Sequence, residues 1–176
     1  VASHEAAVAY VRRYAEVPVG RRFATVLTSA AGYPLDKTYY QTVKGMVAPV
    51  DILAPGGDLI VASACSEGMG SREYVEAQRR LLAQGDSGFL DGLKAKTRAA
   101  IDEWQTEMQL KAARVGAIRL FAEGLQGEQR GLTGVTMIED VRAAVAASVA
   151  RSGDRGVAVI PEGPYVVPQY RPQAAE

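Results

Sequence analysis

The chain has 176 residues, of which 48% are hydrophobic and 23% are charged, and this composition predicts one globular domain and excludes a disordered or fibrous protein. Lysine plus arginine and aspartate plus glutamate number 20 each, so a net charge of zero gives no long-range attraction for nucleic acid or an anionic membrane. Cys65 is the single cysteine and excludes an internal disulfide, and no apolar stretch approaches the ~20 residues that cross a bilayer, so we expect a cytoplasmic protein.

The first elements of the chain are a helix, a strand and a second helix. Ser3 is placed to cap the first helix, which ends at Pro18. The apolar run over 23–30 predicts a buried strand. Asp36 can cap a second helix that begins near Lys37, because its carboxylate can accept hydrogen bonds from the first free backbone N–H groups.

The rest of the chain continues the alternation of strands and helices. The clearest strand of the sequence covers 58–65, and a glycine-bearing turn and a helix follow it. Thr136 and Glu139 have the spacing of a capping box and predict the start of the last helix, which ends at Gly153. The remaining predicted elements are a short helix over 89–94, a long helix over 97–115, strands over 117–121 and 156–161, a loop over 124–134 and a proline-bearing tail.

This order predicts a three-layer α/β fold. Strands separated by helices favour an open, mostly parallel sheet of about four strands with helices on both faces, formed by a single domain over 1–176. Ligands of such sheets bind beyond the carboxyl ends of the strands. We therefore expect the segments 29–40 and 66–71 to lie on one rim that carries the site.

Three polar side chains converge on the predicted second helix. Tyr40, Gln41 and Lys44 project on adjoining sides, because residues three and four apart are neighbours on a helix surface. A carboxylate or phosphate would suit this group, with Lys44 as the charge, Gln41 as the orienting donor and Tyr40 as a wall or hydroxyl donor. The alternative is an ordinary, partly buried helix boundary without a ligand.

A family resemblance bears on this choice. Residues 32–46 read GYPLDKTYYQTVKGM, and an apolar strand and a Glu-Gly-Met-Gly loop follow. The segment resembles the C-terminal domain of the nickel-pincer lactate racemase family of 2-hydroxyacid racemases and epimerases, over about Arg22 to Pro168. The resemblance implies that Gln41 and Lys44 reach the 2-hydroxyacid across an interdomain cleft, with Lys44 on its carboxylate. It implies that Tyr40 lines this cleft and that Trp104 closes the pocket, although a lone tryptophan on a helix is often core.

The resemblance also implies a cofactor and a missing partner domain. In this family the nickel pincer nucleotide, a pyridinium bisthiocarboxylate mononucleotide with Ni, and the catalytic histidines belong to an N-terminal domain that this chain does not contain. The implied reaction is transient hydride transfer from the substrate to the cofactor. We therefore expect no catalytic residue and no bound metal in this chain, which would bind substrate and exclude water and would be inactive alone.

The residues leave other functions open. Gly68, Gly70 and Ser71 precede a helix and could offer N–H groups to an anion, although glycines at such turns also serve steric needs. Cys65 has no nearby histidine and is expected to be inert, and the sole histidine, His4, cannot supply two proton-transfer groups. The alternatives to the racemase domain are a stand-alone anion- or nucleotide-binding module and a non-catalytic interaction domain.

Overall fold

The computed structural model describes residues 1–172. Six α-helices and seven β-strands are found in this part of the chain, together with two short 3-10 helices at Ala48–Asp51 and Gly163–Tyr165. In chain order the elements are α1 Ala2–Ala15, β1 Glu16–Val19, β2 Phe23–Ser29, α2 Tyr39–Val47, β3 Leu53–Ala62, α3 Arg72–Lys94, α4 Glu103–Ala113, β4 Ala117–Phe121, α5 Glu128–Leu132, β5 Thr136–Met137, α6 Val141–Ser152, β6 Val157–Ile160 and β7 Val167–Tyr170.

A five-stranded parallel sheet forms the centre of the molecule, in the order β5-β4-β3-β2-β6. The connections from β2 through β3 and β4 to β5 all lead in one direction across the sheet, and the connection from β5 to β6 leads back past β2. Because such crossovers are right-handed, α2 to α5 lie on one face of the sheet and α6 lies on the other. The α/β prediction with helices on both faces is confirmed. The sheet has five strands rather than about four, because the two-residue strand β5 occupies the place of the predicted capping box.

The core lies between the sheet and the helices of the α2 face. Val26, Leu59 and Val61 on the strands pack with Tyr39 and Met46 on α2 in one apolar cluster, and all five are fully buried. Burial of side chains of this size contributes about 1.5–3 kcal/mol each. The packing therefore fixes α2, and with it the segment that carries Tyr40, Gln41 and Lys44, against the sheet.

Two helix starts differ from the predictions. Helix α2 begins at Tyr39, and its cap is Thr38, whose hydroxyl accepts a hydrogen bond from the Gln41 backbone. Asp36 is not the cap, because its carboxylate accepts from the Ala64 N–H at 3.1 Å and so ties the loop to the end of β3. The correction moves the helix start by two residues and leaves the polar cluster on its first turns.

The last helix is also capped by a different residue. Asp140 accepts a hydrogen bond from the Ala143 N–H at 3.1 Å, and α6 begins at Val141. The capping box of Thr136 and Glu139 does not form, because Thr136 pairs with β4 as part of β5. The predicted end of this helix at Gly153 is confirmed, since Gly153 adopts a φ of 71° as the C-cap.

Smaller differences concern the long helical segment and both ends of the chain. Helix α4 begins at Glu103 rather than near residue 97, α3 continues to Lys94 across a break at Gly85, and α5 occupies part of the predicted loop. Ser3 lies inside α1 and does not cap it. Residues 16–19 and 167–170 pair as the separate two-stranded parallel sheet of β1 and β7, which the sequence pattern did not predict.

Helix α1 contacts little of the fold, and none of its residues is buried. Within residues 1–172 no helix has the length and apolar character required to cross a membrane.

Candidate functional site

Two loops meet at the carboxyl ends of β2 and β3. The backbone N–H groups of Cys65 and Glu67 donate to the carbonyls of Asp36 and Lys37, both at 2.7 Å, and the Tyr39 N–H donates to the Gly68 carbonyl at 2.9 Å. The segments 29–40 and 66–71 therefore lie against each other on one rim, as the parallel sheet predicts. These bonds hold the start of α2 in place.

The three predicted side chains of α2 have different surroundings. Lys44 is exposed and forms no ion pair within residues 1–172. Gln41 is half-buried, and its Oε1 atom is buried without a hydrogen-bond partner among the described residues. Tyr40 is half-buried, and its ring packs edge to face on Tyr74 at a centroid distance of 5.2 Å. Contacts within the described fold therefore do not occupy the Lys44 ammonium group or the Gln41 carbonyl oxygen.

A wide apolar groove of about 920 Å³ lies beside α2 and α4, and the 3-10 helix Ala48–Asp51 and the segment 164–169 complete its lining. The side chains that line it include Lys44, Val47, Leu53, Trp104, Met108 and Val166. Neither Tyr40 nor Gln41 is among its lining residues. The structure therefore brings Lys44 and Trp104 to one groove and leaves Tyr40 and Gln41 about one helical turn away on α2.

The groove extends in an unexpected direction. Both α2 and α4 run from the carboxyl edge of the sheet back towards its amino edge, and the gap between them follows the same course. Its far end is lined by Arg22 and Asp51, which form an ion pair at 3.6 Å near the start of β2. No residue of the rim segments 29–40 and 66–71 lines the groove, and the groove adjoins the rim where Trp104 contacts Tyr40.

Trp104 lies at the surface of α4 and is not a core residue. Its side chain is 46% exposed, and its ring meets the Tyr40 ring edge to face at a centroid distance of 6.1 Å. The adjacent Gln105 donates from Nε2 to the Tyr40 carbonyl at 2.8 Å. The structure therefore decides between the two alternatives for this tryptophan and places it on the groove, although its contact with substrate stays a prediction.

Asp102 precedes α4 and lies close to Tyr40. Burial first, and the Asp102 carboxylate second, raise the pKa of the Tyr40 phenol above its ordinary value. Asp102 also accepts a hydrogen bond from the Ser71 hydroxyl at 2.6 Å. This carboxylate joins the turn before α3 to the first turn of α4.

Glu103 is a charged residue of the site region that the sequence analysis missed. Its side chain is 3% exposed and accepts hydrogen bonds from Arg80 Nη2 at 2.8 Å, from Lys96 Nζ and from the Ala100 N–H at 2.6 Å. Burial raises the pKa of this carboxyl, but the three donors outweigh it and lower the pKa to about 2. Helical periodicity carries no signal for it, because Arg80 lies on another helix and Lys96 and Ala100 lie in the irregular loop before α4.

A second buried polar group joins the helices of this face. The Tyr39 hydroxyl donates to Gln109 Oε1 at 3.0 Å, and Gln78 Nε2 donates to the same oxygen at 2.9 Å. Gln109 Nε2 donates in turn to the Thr133 carbonyl at 2.8 Å. Side-chain hydrogen bonds among buried residues thus connect helices α2, α3 and α4.

The glycine-bearing turn 66–71 packs closely against side chains of neighbouring segments. A Cβ on Gly70 would lie 2.9 Å from the Tyr40 Cβ, and a Cβ on Gly68 would lie 2.9 Å from the Gln129 amide. Ser71 accepts from the Tyr74 N–H at 3.1 Å and so caps α3. These contacts explain the small residues by packing, and the weaker prediction of an anion site at Gly68, Gly70 and Ser71 stays untested.

Neither Cys65 nor His4 lines the groove. Cys65 is fully buried, its thiol lies 3.3 Å from the Thr42 hydroxyl, and burial raises the pKa of this thiol. His4 lies on the exposed helix α1. Within residues 1–172 no three histidine, cysteine, aspartate or glutamate side chains are grouped so that they could hold a metal ion.

Fold and site together define a parallel α/β domain with an open groove on its helical face and a free lysine on the groove wall. The family model of the lactate racemase C-terminal domain matches residues 21–167. This match covers more than half of the chain, so the chain belongs to the lactate racemase C-terminal domain family.

Two further similarities concern one organism, Thermoanaerobacterium thermosaccharolyticum. Its lactate racemase is 34% identical over 87 aligned positions, which take up 43% of this chain and 20% of that protein. The structure of its lactate racemase apoprotein superimposes with a TM-score of 0.81 at 22% identity, over 94% of this chain and 40% of that one. The second similarity shows the fold, and the chain spans well under half the length of these relatives.

Proposed function

We propose that this chain is the substrate-closing domain of a nickel-dependent 2-hydroxyacid racemase or epimerase of the lactate type. The observation that carries the proposal is Lys44: on a chain of this family, its ammonium group is exposed, has no ion-pair partner within residues 1–172, and lies on a groove that Trp104 also lines. A free cation beside an apolar wall suits a small carboxylate with a short carbon chain.

The side chains then have distinct tasks. Lys44 pairs with the substrate carboxylate as a point charge, and Gln41, one helical turn away on α2, orients the hydroxyacid as an amide donor. Trp104, packed edge to face on Tyr40, forms an aromatic wall of the groove that excludes water from the substrate. Such a wall strengthens the pairing of Lys44 with the carboxylate, because the attraction between opposite charges increases when the surrounding dielectric constant falls.

The cofactor of the proposed enzyme belongs to the rest of the longer protein. The residues of this chain do not fit a nickel site: within the described range, the histidine is on an exposed helix, the cysteine is buried, and no group of potential ligands is assembled. The chemistry proposed for this chain is therefore binding, orientation and exclusion of water. The hydride transfer implied for the whole enzyme takes place on the N-terminal domain, which is the proposed partner.

The 176 residues are proposed to act as one domain over their whole length, and a cytoplasmic location fits a chain whose one thiol is buried and unpaired. The test is an assay of the longer protein and of this chain alone with single enantiomers of lactate and larger 2-hydroxyacids. We expect the longer protein, loaded with cofactor, to form the opposite enantiomer and the isolated chain to form none. The proposal is refuted if the isolated chain racemises a hydroxyacid, or if the cofactor-loaded longer protein racemises none of them.

A further inference from the structure

Trp104 stands between two cavities. One side of it faces the groove beside α2 and α4, and it also lines a smaller cavity of about 310 Å³ bordered by Lys96, Thr97, Arg98 and Glu103. Because the indole is nearly half exposed, packing around the ring does not by itself determine which cavity it fills. Some other contact has to set the position of the first turn of α4.

Glu103 supplies such a contact. It precedes Trp104 directly, and its carboxylate is bound by donors from two other segments, Arg80 on α3 and the loop residues Lys96 and Ala100. The same loop forms a wall of the smaller cavity. One buried carboxylate therefore holds together α3, the loop and the helix that carries the indole.

The backbone before Glu103 is constrained as well. Asp102 has a φ of 62°, a left-handed conformation that is rare for residues other than glycine. Its side chain is bound by the Ser71 hydroxyl, and its carbonyl accepts from the Gln105 N–H at 3.1 Å. Such a conformation persists where surrounding contacts hold it, so the direction in which α4 begins is determined by contacts on both sides of Glu103.

We propose that Glu103 is a positioning residue, which acts through Trp104 by fixing the start of α4 so that the indole stays on the groove side against Tyr40. The inference rests on the proposed function in one respect: only in a racemase would this position of the indole close the substrate pocket. The position itself is a property of this chain and is measurable without any racemase assay.

Trp104 is the only tryptophan of the chain, so fluorescence reports its surroundings directly. We expect Glu103→Gln to shift the emission maximum of the 176-residue chain and to change quenching by acrylamide, with an unchanged far-ultraviolet circular dichroism spectrum. Glu128→Gln is the matched control, because it removes an exposed carboxylate that pairs with Arg79 at 3.2 Å. Emission and quenching of this control should equal those of the wild type.

Lys96→Met is the second variant, which serves if Glu103→Gln does not fold. It removes one donor from Glu103 at a site that is one-third exposed, and it should change the fluorescence in the same direction by a smaller amount. In the longer protein either variant should lower kcat/KM, by about tenfold for Glu103→Gln, mainly through a higher KM.

The outcomes separate this inference from the proposed function. Wild-type fluorescence in folded Glu103→Gln and Lys96→Met chains would overturn the positioning role, whatever the longer protein catalyses. If these variants change the fluorescence but not kcat/KM of the longer protein, the position of Trp104 does not matter for substrate binding, and the racemase assignment is unaffected. If the wild-type longer protein has no racemase activity, the proposed function fails, while the fluorescence still decides whether Glu103 positions Trp104.

Discussion

The rings of Tyr40 and Trp104 meet edge to face, with a centroid distance of 6.1 Å and an interplanar angle of 86°. This contact joins two helices that are distant in sequence, and it forms beside the exposed ammonium group of Lys44. Aromatic pairs of this geometry contribute about 0.5–1.5 kcal/mol beyond the burial of their area. The candidate site thus depends on the relative position of α2 and α4 as well as on the sequence of either helix.

Lys44→Ala should weaken the reaction of the longer protein. Loss of a charge-assisted contact with the substrate carboxylate is expected to cost about 1.5–3 kcal/mol in kcat/KM. Kinetics with lactate and several larger 2-hydroxyacids measure the effect. Lys111→Ala is the control, because Lys111 pairs with Glu107 at 3.7 Å and does not line the groove. Equal kinetics for Lys44→Ala and wild type with every substrate would refute the role of Lys44.

Glu103→Gln should destabilise the fold in a manner that depends on pH. The carboxyl has a pKa of about 2 in the folded chain and an ordinary value of 4.5. The stabilisation from this difference is therefore fully present above about pH 5 and is lost as the pH falls through 2. A pKa difference of this size corresponds to about 3 kcal/mol.

Urea unfolding of wild type and Glu103→Gln at pH 7 and at pH 3 measures this contribution as the difference in unfolding free energy. The difference should be smaller at pH 3. Glu76→Gln serves as the control, since Glu76 pairs with Arg72 on the exposed face of α3, and an exposed pair contributes about 1 kcal/mol or less. A pH-independent difference for Glu103→Gln would contradict the assigned pKa.

Gly45→Ala should lower stability, although alanine is the better helix former. A Cβ at this position of α2 would lie 2.6 Å from the Ser29 carbonyl oxygen, and either helix or strand would have to move, at a cost of about 1–3 kcal/mol. Thermal unfolding tests this. Gly131→Ala on α5 is the matched control, because nothing lies within 4 Å of its added Cβ. A Gly45→Ala chain as stable as wild type would show that α2 does not press on β2.

Cys65 should react slowly with thiol reagents in the native chain. The residue is fully buried and burial raises the pKa of its thiol, so little thiolate is present or accessible. The rate of reaction with a chromogenic disulfide should rise steeply when urea unfolds the chain, because unfolding removes both effects. Reaction at the rate of a free thiol without denaturant would contradict this description of the site.

Most strands and helices could be predicted from the sequence, because the patterns that indicate them involve residues that are close together in the chain. Alternating apolar runs and helical periodicity depend on neighbouring residues, and β4 has the predicted bounds of Ala117–Phe121. Helix starts were less reliable, because Asp36 and Thr136 have the chemistry of caps but form other contacts, with Ala64 and with β4. A capping signal in a sequence cannot show that a distant strand uses the same side chain.

The sequence by itself determined the order of strands and helices, the parallel sheet, the placement of Tyr40, Gln41 and Lys44 on one helix, and the family resemblance of that segment. Only the tertiary structure decided that Trp104 is exposed on a groove, that Glu103 is buried among three donors, and that the groove runs towards the amino edge of the sheet. The physical reason is that periodicity and chain direction are local properties, whereas burial and the partners of a charge depend on segments that folding brings together.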